Sequence, residues 1–215
     1  MTNAEILSHI DHTVLKPDAK WEDVQQICEE ALTYHTASVC IPSYYVLRAK
    51  SKFPALNVCT VIGFPLGYQP ASVKQFETAE AVSDGADEID MVINISALKN
   101  GDDSVILDEI KAVRAACSEQ ILKVIVETCY LTEDEKIRVC KLVTAGGADY
   151  IKTSTGFGSA GAQLADIALF RANIGENVKI KAAGGIRTRE QMEAFLEAGC
   201  ERIGCSAARI LFDGV

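Results

Sequence analysis

The 215-residue chain has no run of Lys and Arg, no basic residues interleaved with aromatics, and a formal net charge of −9. Nucleic-acid binding is therefore disfavoured, and any anionic ligand must be held by local donors, because the overall field repels it. No apolar stretch reaches the length that a bilayer crossing needs. Residues 1–15 carry Glu5, His9, Asp11 and His12 and lack the basic-then-apolar order of a signal peptide, so the cytoplasm is the expected compartment. His9, His12 and His35 read as helix or loop residues. No set of His, Cys, Asp or Glu has metal-ligand spacing, and neither a metal nor an organic cofactor is expected.

Cysteine is plentiful, but its pairing signals are missing. Cys28, Cys40, Cys59, Cys117, Cys129, Cys140, Cys200 and Cys205 include no C-x-x-C, and most sit in apolar surroundings. Reduced, buried thiols are the expectation, with Cys40 either structural or facing a mouth. Also missing are a low-complexity tract, a Pro/Ser-rich linker and a Gly-x-Gly-x-x-Gly after the first strand. The first two absences favour one domain over residues 1–215. The third removes the best support for an open dinucleotide-binding sheet.

What is present is an alternation. Residues 37–41, 58–62, 88–93, 122–127, 150–153, 178–182 and 202–205 are short, rich in β-branched residues and bounded by turn signals, so they read as strands. Residues 11–15 supply a plausible eighth, after a short helix around 3–9. Amphipathic stretches at 73–82, 105–116, 134–143 and 189–198 read as helices. Three helix-to-strand turns repeat one phrase: Gly85-Ala86-Asp87, Gly147-Ala148-Asp149 and Gly199-Cys200-Glu201. Alternating β and α units imply a parallel sheet, and eight units imply an α/β (β/α)₈ TIM barrel with a short N-terminal helix.

In such a barrel the chemistry sits at the C-terminal ends of the strands. Three strands carry charge that should face inward: Asp90 in 88–93, Lys152 in 150–153 and Lys181 in 178–182. Lys152 has a bland reading as a solvated strand-end lysine. Its neighbours argue against this, because Ile151 precedes it and Thr153, Ser154 and Thr155 follow. A buried lysine is costly and tends to be tied to function, since the neutral amine attacks carbonyls. Lys179 and Lys181 share a face, and Lys181 is the one nearer the mouth. An ammonium there would disfavour a second charge on Lys152. Asp90 is either a structural partner of those lysines or a proton relay, and both readings share one geometry. Gly184-Gly185 and Gly204-Cys205-Ser206, which close the last two strands, suit an anion held by backbone N–H groups. The rival reading is a pair of tight turns.

Ile151-Lys152-Thr153-Ser154-Thr155-Gly156 and Lys181-Ala182-Ala183-Gly184-Gly185-Ile186-Arg187 resemble the two lysine motifs of the deoxyribose-phosphate aldolase family of class I, Schiff-base aldolases. Gly85 to Asp90 resembles its aspartate motif, residues 10–17 its first strand and residues 122–128 its fifth. The resemblance runs in order over nearly the whole chain. It implies metal-free cleavage of 2-deoxy-D-ribose 5-phosphate to acetaldehyde and D-glyceraldehyde 3-phosphate, as part of deoxyribonucleotide catabolism. Lys152 would form the Schiff base, Lys181 would perturb it and Asp90 would relay protons. Asp11 and Lys123 would be outer members of the same charge network. Thr155, Gly156, Gly184, Gly185, Gly204 and Ser206 would bind substrate and phosphate. The partners implied are a phosphorylated sugar and aldehydes, with no nucleic acid and no membrane, and a homo-oligomer is left open. Two departures stand out. Cys205-Ser206-Ala207 replaces a pair of hydroxyls, and no tyrosine follows Tyr150, so proton handling would rest on Lys181, Asp90 and water. Other readings of the residues remain: another class I aldolase or transaldolase, a barrel isomerase without an imine, or a barrel that binds a sugar phosphate without turning it over.

Overall fold

The structure, a computed structural model, describes residues 1–213. Helix α1 (Asn3–Leu7) precedes strand β1 (Ile10–Thr13). There follow α2 (Trp21–Tyr34), β2 (Ser38–Ile41), α3 (Val46–Lys52), β3 (Val58–Ile62), α4 (Ala71–Ser83) and β4 (Glu88–Val92). Then come α5 (Ile95–Asn100), α6 (Asp103–Ala116), β5 (Ile121–Ile125), α7 (Glu133–Ala145) and β6 (Tyr150–Lys152). The chain continues through α8 (Leu164–Asn173), β7 (Lys179–Ala183), α9 (Arg189–Glu197) and β8 (Arg202–Cys205). All neighbouring strands pair in parallel, and β1 pairs with β8 to close the barrel. The eighth strand expected at 11–15 is β1, shifted toward the N-terminus. Helices α2, α3, α5 and α8 lie where no helix was read. In α2 the buried positions Val24, Ile27, Cys28 and Ala31 follow helical spacing, yet polar residues between them mask it.

The register separates two interiors. Residues facing the helices are aliphatic: Val39, Ile41, Ile89, Met91, Leu122, Val124, Ile151, Ile180 and Ile203 all belong to one continuous core. The alternate positions point into the barrel and are largely polar or charged, including Asp11, Ser38, Glu88, Asp90, Lys123, Lys152 and Lys181, all buried. A barrel axis is ordinarily filled with Val, Ile and Leu. Here the apolar filling inside is a small cluster of Cys40, Cys59 and Val61, capped by Leu15 and Phe64.

The repeated Gly-Ala-Asp phrase has a structural cause. The glycines at 85, 147 and 199 adopt positive φ (99°, 76° and 103°), which ends the preceding helix without a Cβ penalty. The following acid then pins strand starts. Asp87 accepts the Val58 N–H at 2.8 Å and pairs with Lys50, and Asp149 accepts the Leu122 N–H at 2.7 Å and pairs with Arg114. Each aspartate thus satisfies a strand-end donor on the neighbouring strand. Glu201, third in the series, pairs with Lys179 at 3.1 Å. Among the described residues, no helix is long and apolar enough to cross a membrane.

Candidate active site

Parallel pairing places register partners on the same face, so the strands bring the charges together in rows. Asp90 is opposite Lys123, Lys152 is opposite Lys181, and Asp11 lies between Ser38 and Gly204. At the centre, Asp90 Oδ2 accepts Lys152 Nζ at 2.7 Å and Lys181 Nζ at 2.7 Å, while Oδ1 accepts Lys123 Nζ at 2.8 Å and the Cys59 thiol at 3.1 Å. Asp11 forms ion pairs with Lys181 and with Arg202 (2.5 Å), and accepts the Ser38 hydroxyl at 2.8 Å. Glu88 pairs with Lys123 at 2.5 Å and Arg202 at 2.9 Å.

The network holds four cations, Lys123, Lys152, Lys181 and Arg202, against three carboxylates, Asp11, Glu88 and Asp90. One positive charge is therefore in excess. Lys123, Lys181 and Arg202 each pair with two or more carboxylates, whereas Lys152 pairs with Asp90 alone. Lys152 is thus the least neutralised cation of the set, at the mouth end of its strand.

Burial by itself would raise the carboxyls of Asp11 and Asp90. The surrounding cations outweigh it, with Lys181, Lys123 and Arg202 acting on Asp11 and Lys123, Lys152 and Lys181 on Asp90. Both groups are held well below the usual carboxylate range and stay ionised. Lys181 and Lys123 show the converse: burial pulls each down, and the carboxylates overcome it and push each above the usual lysine value.

The loops after β5, β6 and β7 meet above this network. Glu127, two residues past the end of β5, is buried and adopts the left-handed conformation (φ 53°, ψ 66°), which costs a non-glycine residue about 1–2 kcal/mol. Its carboxylate accepts the Thr155 N–H at 3.1 Å and the Thr155 hydroxyl. Burial raises its pKa, opposed by those two bonds and by Lys152. The Thr155 hydroxyl is therefore committed to Glu127. Gly156 (φ 85°) and Gly184 (φ 86°) approach one another, for a Cβ on Gly156 would stand 3.7 Å from Gly184 Cα. Gly184 and Gly185 (φ 76°) line a cavity of about 470 Å³ between the β6 loop and α9. Ser154 Oγ is buried without a hydrogen-bond partner beside Gly184.

The structure thus brings Lys152, Lys181, Asp90, Asp11 and Lys123 into one cluster and Gly156, Gly184 and Gly185 into one neighbourhood. Gly204 is the register partner of Ala183, next to Gly184, and also borders the lysine cluster. It lies within β8, where a Cβ would come within 3.3 Å of Lys181 Cε and 3.0 Å of Ala183 Cβ. Its bare Cα makes room for the Lys181 stem. Ser206 is exposed and is followed by a single 3₁₀ turn, Ala208–Leu211, capped at Ala207. His12, read as a helix or loop residue, is instead a buried residue of β1 whose Nε2 lies 2.7 Å from Glu30. The sequence reading missed Glu88, Arg202, Cys59, Glu127 and Ser154. Glu88 and Arg202 lie two residues from Asp90 and Gly204, so the two-residue period would have exposed them. Nothing in the sequence announces a non-glycine left-handed residue at 127.

The sequence model of the DeoC/LacD family aldolases matches residues 6–209. The chain belongs to that family. It is 55% identical over 215 residues to a deoxyribose-phosphate aldolase of Clostridium botulinum, covering 100% of this chain and 97% of that one. A deoxyribose-phosphate aldolase of Clostridioides difficile is 53% identical over 203 residues, with 94% and 93% covered. Among solved structures, the tetrameric deoxyribose phosphate aldolase of Aeropyrum pernix superposes with a TM-score of 0.89 at 29% identity, over 97% of this chain and 89% of that one. The aldolase QR15 gives 0.92 at 38% identity, over 95% and 92%.

Proposed function

We propose that this protein is a cytoplasmic deoxyribose-phosphate aldolase that cleaves 2-deoxy-D-ribose 5-phosphate reversibly to acetaldehyde and D-glyceraldehyde 3-phosphate. The observation that carries the reading is the single oxygen, Asp90 Oδ2, shared at 2.7 Å by Lys152 and Lys181. A nucleophilic amine and a second amine able to exchange protons with it through water are fixed on one ionised anchor.

In this reading the neutral Lys152 amine attacks C1 of the open-chain sugar, and the carbinolamine loses water to give an iminium. The C2–C3 bond then breaks. Its electron pair moves into the enamine, and the C3 hydroxyl proton leaves to the Lys181–water relay, releasing D-glyceraldehyde 3-phosphate. Protonation of the enamine at C2 and hydrolysis of the iminium release acetaldehyde and restore Lys152. Asp90 stays a carboxylate throughout and orients both nitrogens. The 5-phosphate is assigned to the glycine-lined turns of Gly156, Gly184 and Gly185, where positive-φ backbone can turn N–H groups toward an anion, with Gly204 and the exposed Ser206 as further candidate contacts.

Borohydride reduction in the presence of acetaldehyde tests the assignment. Reduction should add one ethyl group per chain, and peptide mapping should find it on Lys152. A label on Lys181 or Lys123 would overturn the role of Lys152, and no label at all would favour an isomerase without an imine.

A further inference from the structure

Cys40 and Cys59 are register partners on β2 and β3, and both face the barrel axis. Their sulfurs and an Asp90 carboxylate oxygen all lie within 4.8 Å of one another, and all three residues are buried. The remaining cysteines are not part of this cluster. We propose that Cys40, Cys59 and Asp90 form a binding site for a thiophilic dication, Zn²⁺ or Cd²⁺, whose occupation silences the lysine network.

The ligand chemistry fits. Two thiolates and one carboxylate suit a tetrahedral d¹⁰ ion, leaving a fourth position for water. Metal–sulfur bonds of about 2.3 Å set two sulfurs roughly 3.8 Å apart, a span that lies inside the observed limit. A disulfide suits the pair less well. It needs sulfurs about 2.05 Å apart and Cβ atoms about 3.8 Å apart, whereas neighbouring strands stand roughly 4.8 Å apart. A bridging ion fills that difference without moving either strand.

The charge balance also fits. The ion brings two positive charges, and the two thiols each give up a proton, so the net charge of the cluster does not change. The Cys59 S–H already points at Asp90 Oδ1 (3.1 Å), and the ion would take the place of that proton. Asp90 Oδ1 also accepts Lys123 at 2.8 Å, so the ion competes with Lys123 for this oxygen and disturbs the carboxylate that anchors Lys152. Leu15, Val61 and Phe64, which pack with the two thiols, also line a cavity of about 310 Å³, and the ion would enter from that side. Asp11, Cys59 and Glu88 form a second close trio, but it offers one thiol and its carboxylates are held by Arg202.

The test is titration of the reduced, folded protein with Cd²⁺ alone, read by the ultraviolet thiolate-to-cadmium absorption, with turnover followed in parallel. One equivalent should saturate a band worth two thiolates, abolish turnover, and be reversed by chelator; Zn²⁺ should compete for the same equivalent. Cys40→Ala and Cys59→Ala should each weaken binding at least tenfold and halve the band. Cys129→Ala, which removes the one partly exposed thiol, should leave it unchanged. Absence of the band at one equivalent, persistence of the full band in both variants, or full turnover with the site filled would each overturn the proposal. The absorption readout needs no aldolase activity, so it stands apart from the functional reading above. If one variant fails to fold, the other and the wild-type stoichiometry still decide.

Discussion

Lys181 has two roles that substitution can separate. Structurally it pairs with Asp11 and Asp90 at the centre of a sealed cluster; chemically, in the proposed reaction, it exchanges protons beside Lys152. Lys181→Met keeps most of the stem volume and deletes the charge. Two buried carboxylates then lose a partner each, and breaking a buried pair typically costs about 3–5 kcal/mol. For a domain of this size that is a fall in Tm of roughly 6–20 °C. The pH dependence follows from the shifts. Asp11 and Asp90 are depressed, so their contribution is fully present above the unfolded value of about 3.9 and is lost as pH falls through their lower folded values. Lys181 is raised, so its contribution is fully present below about pH 10.4 and fades above it. The gap between wild type and Lys181→Met should therefore be flat from about pH 4 to 10 and narrow outside that window. Lys181→Arg keeps the charge and should recover part of the stability. Its guanidinium does not release a proton, so turnover should stay depressed by orders of magnitude. Thermal melts across pH and steady-state kinetics of both variants are the assay. If Lys181→Arg regains turnover along with stability, Lys181 is only a structural cation, and the proton-exchange reasoning fails.

Three further substitutions probe the loops. Gly204→Ala should press on the Lys181 stem, cost about 1–3 kcal/mol, and lower kcat equally for phosphorylated and unphosphorylated deoxyribose; a selective rise in KM for the phosphorylated sugar would show instead that Gly204 acts chiefly at the phosphate. Ser154→Ala removes a buried hydroxyl that has no partner in the protein, so stability should hold or rise slightly; a several-fold rise in KM would show that the hydroxyl meets substrate, and unchanged kinetics would refute that role. Glu127→Gln should loosen the Thr155–Gly156 turn and raise KM for the phosphorylated sugar more than it lowers kcat; an equal effect on unphosphorylated deoxyribose would rule out a phosphate-side role.

Much of the barrel was legible because its strands break a rule. A parallel strand covered on both faces ordinarily reads as an unbroken apolar run. Here Glu88-Ile89-Asp90, Leu122-Lys123-Val124, Tyr150-Ile151-Lys152 and Lys179-Ile180-Lys181 alternate, as a strand with one wet face would. The alternation is real, but at Glu88, Asp90, Lys123, Lys152 and Lys181 its polar face turns inward, onto a network whose charges pair with one another. Three of the four helices that escaped the reading did so for a local reason: α3 and α5 are short, and in α2 polar residues interrupt the apolar face.

Closure of the barrel decides what the sequence could not. Arg202 and Asp11 sit 191 positions apart, and they meet because β8 pairs with β1. Cys40, Cys59 and Asp90 come from three successive strands with no ligand spacing along the chain, which is why a search for spacing found no metal site. Asp90 could not be sorted into anchor or relay from its neighbours in sequence. The geometry bears on the choice: three lysines surround Asp90 and hold it ionised, which favours the anchor reading. Closure of the barrel also gives Gly204 a second setting, beside the lysine network as well as beside the β7 turn. A glycine beside an anion-binding turn and a glycine beside a lysine stem look alike in one dimension. The register opposite Asp11 and the 3.3 Å approach to Lys181 Cε reveal the second setting.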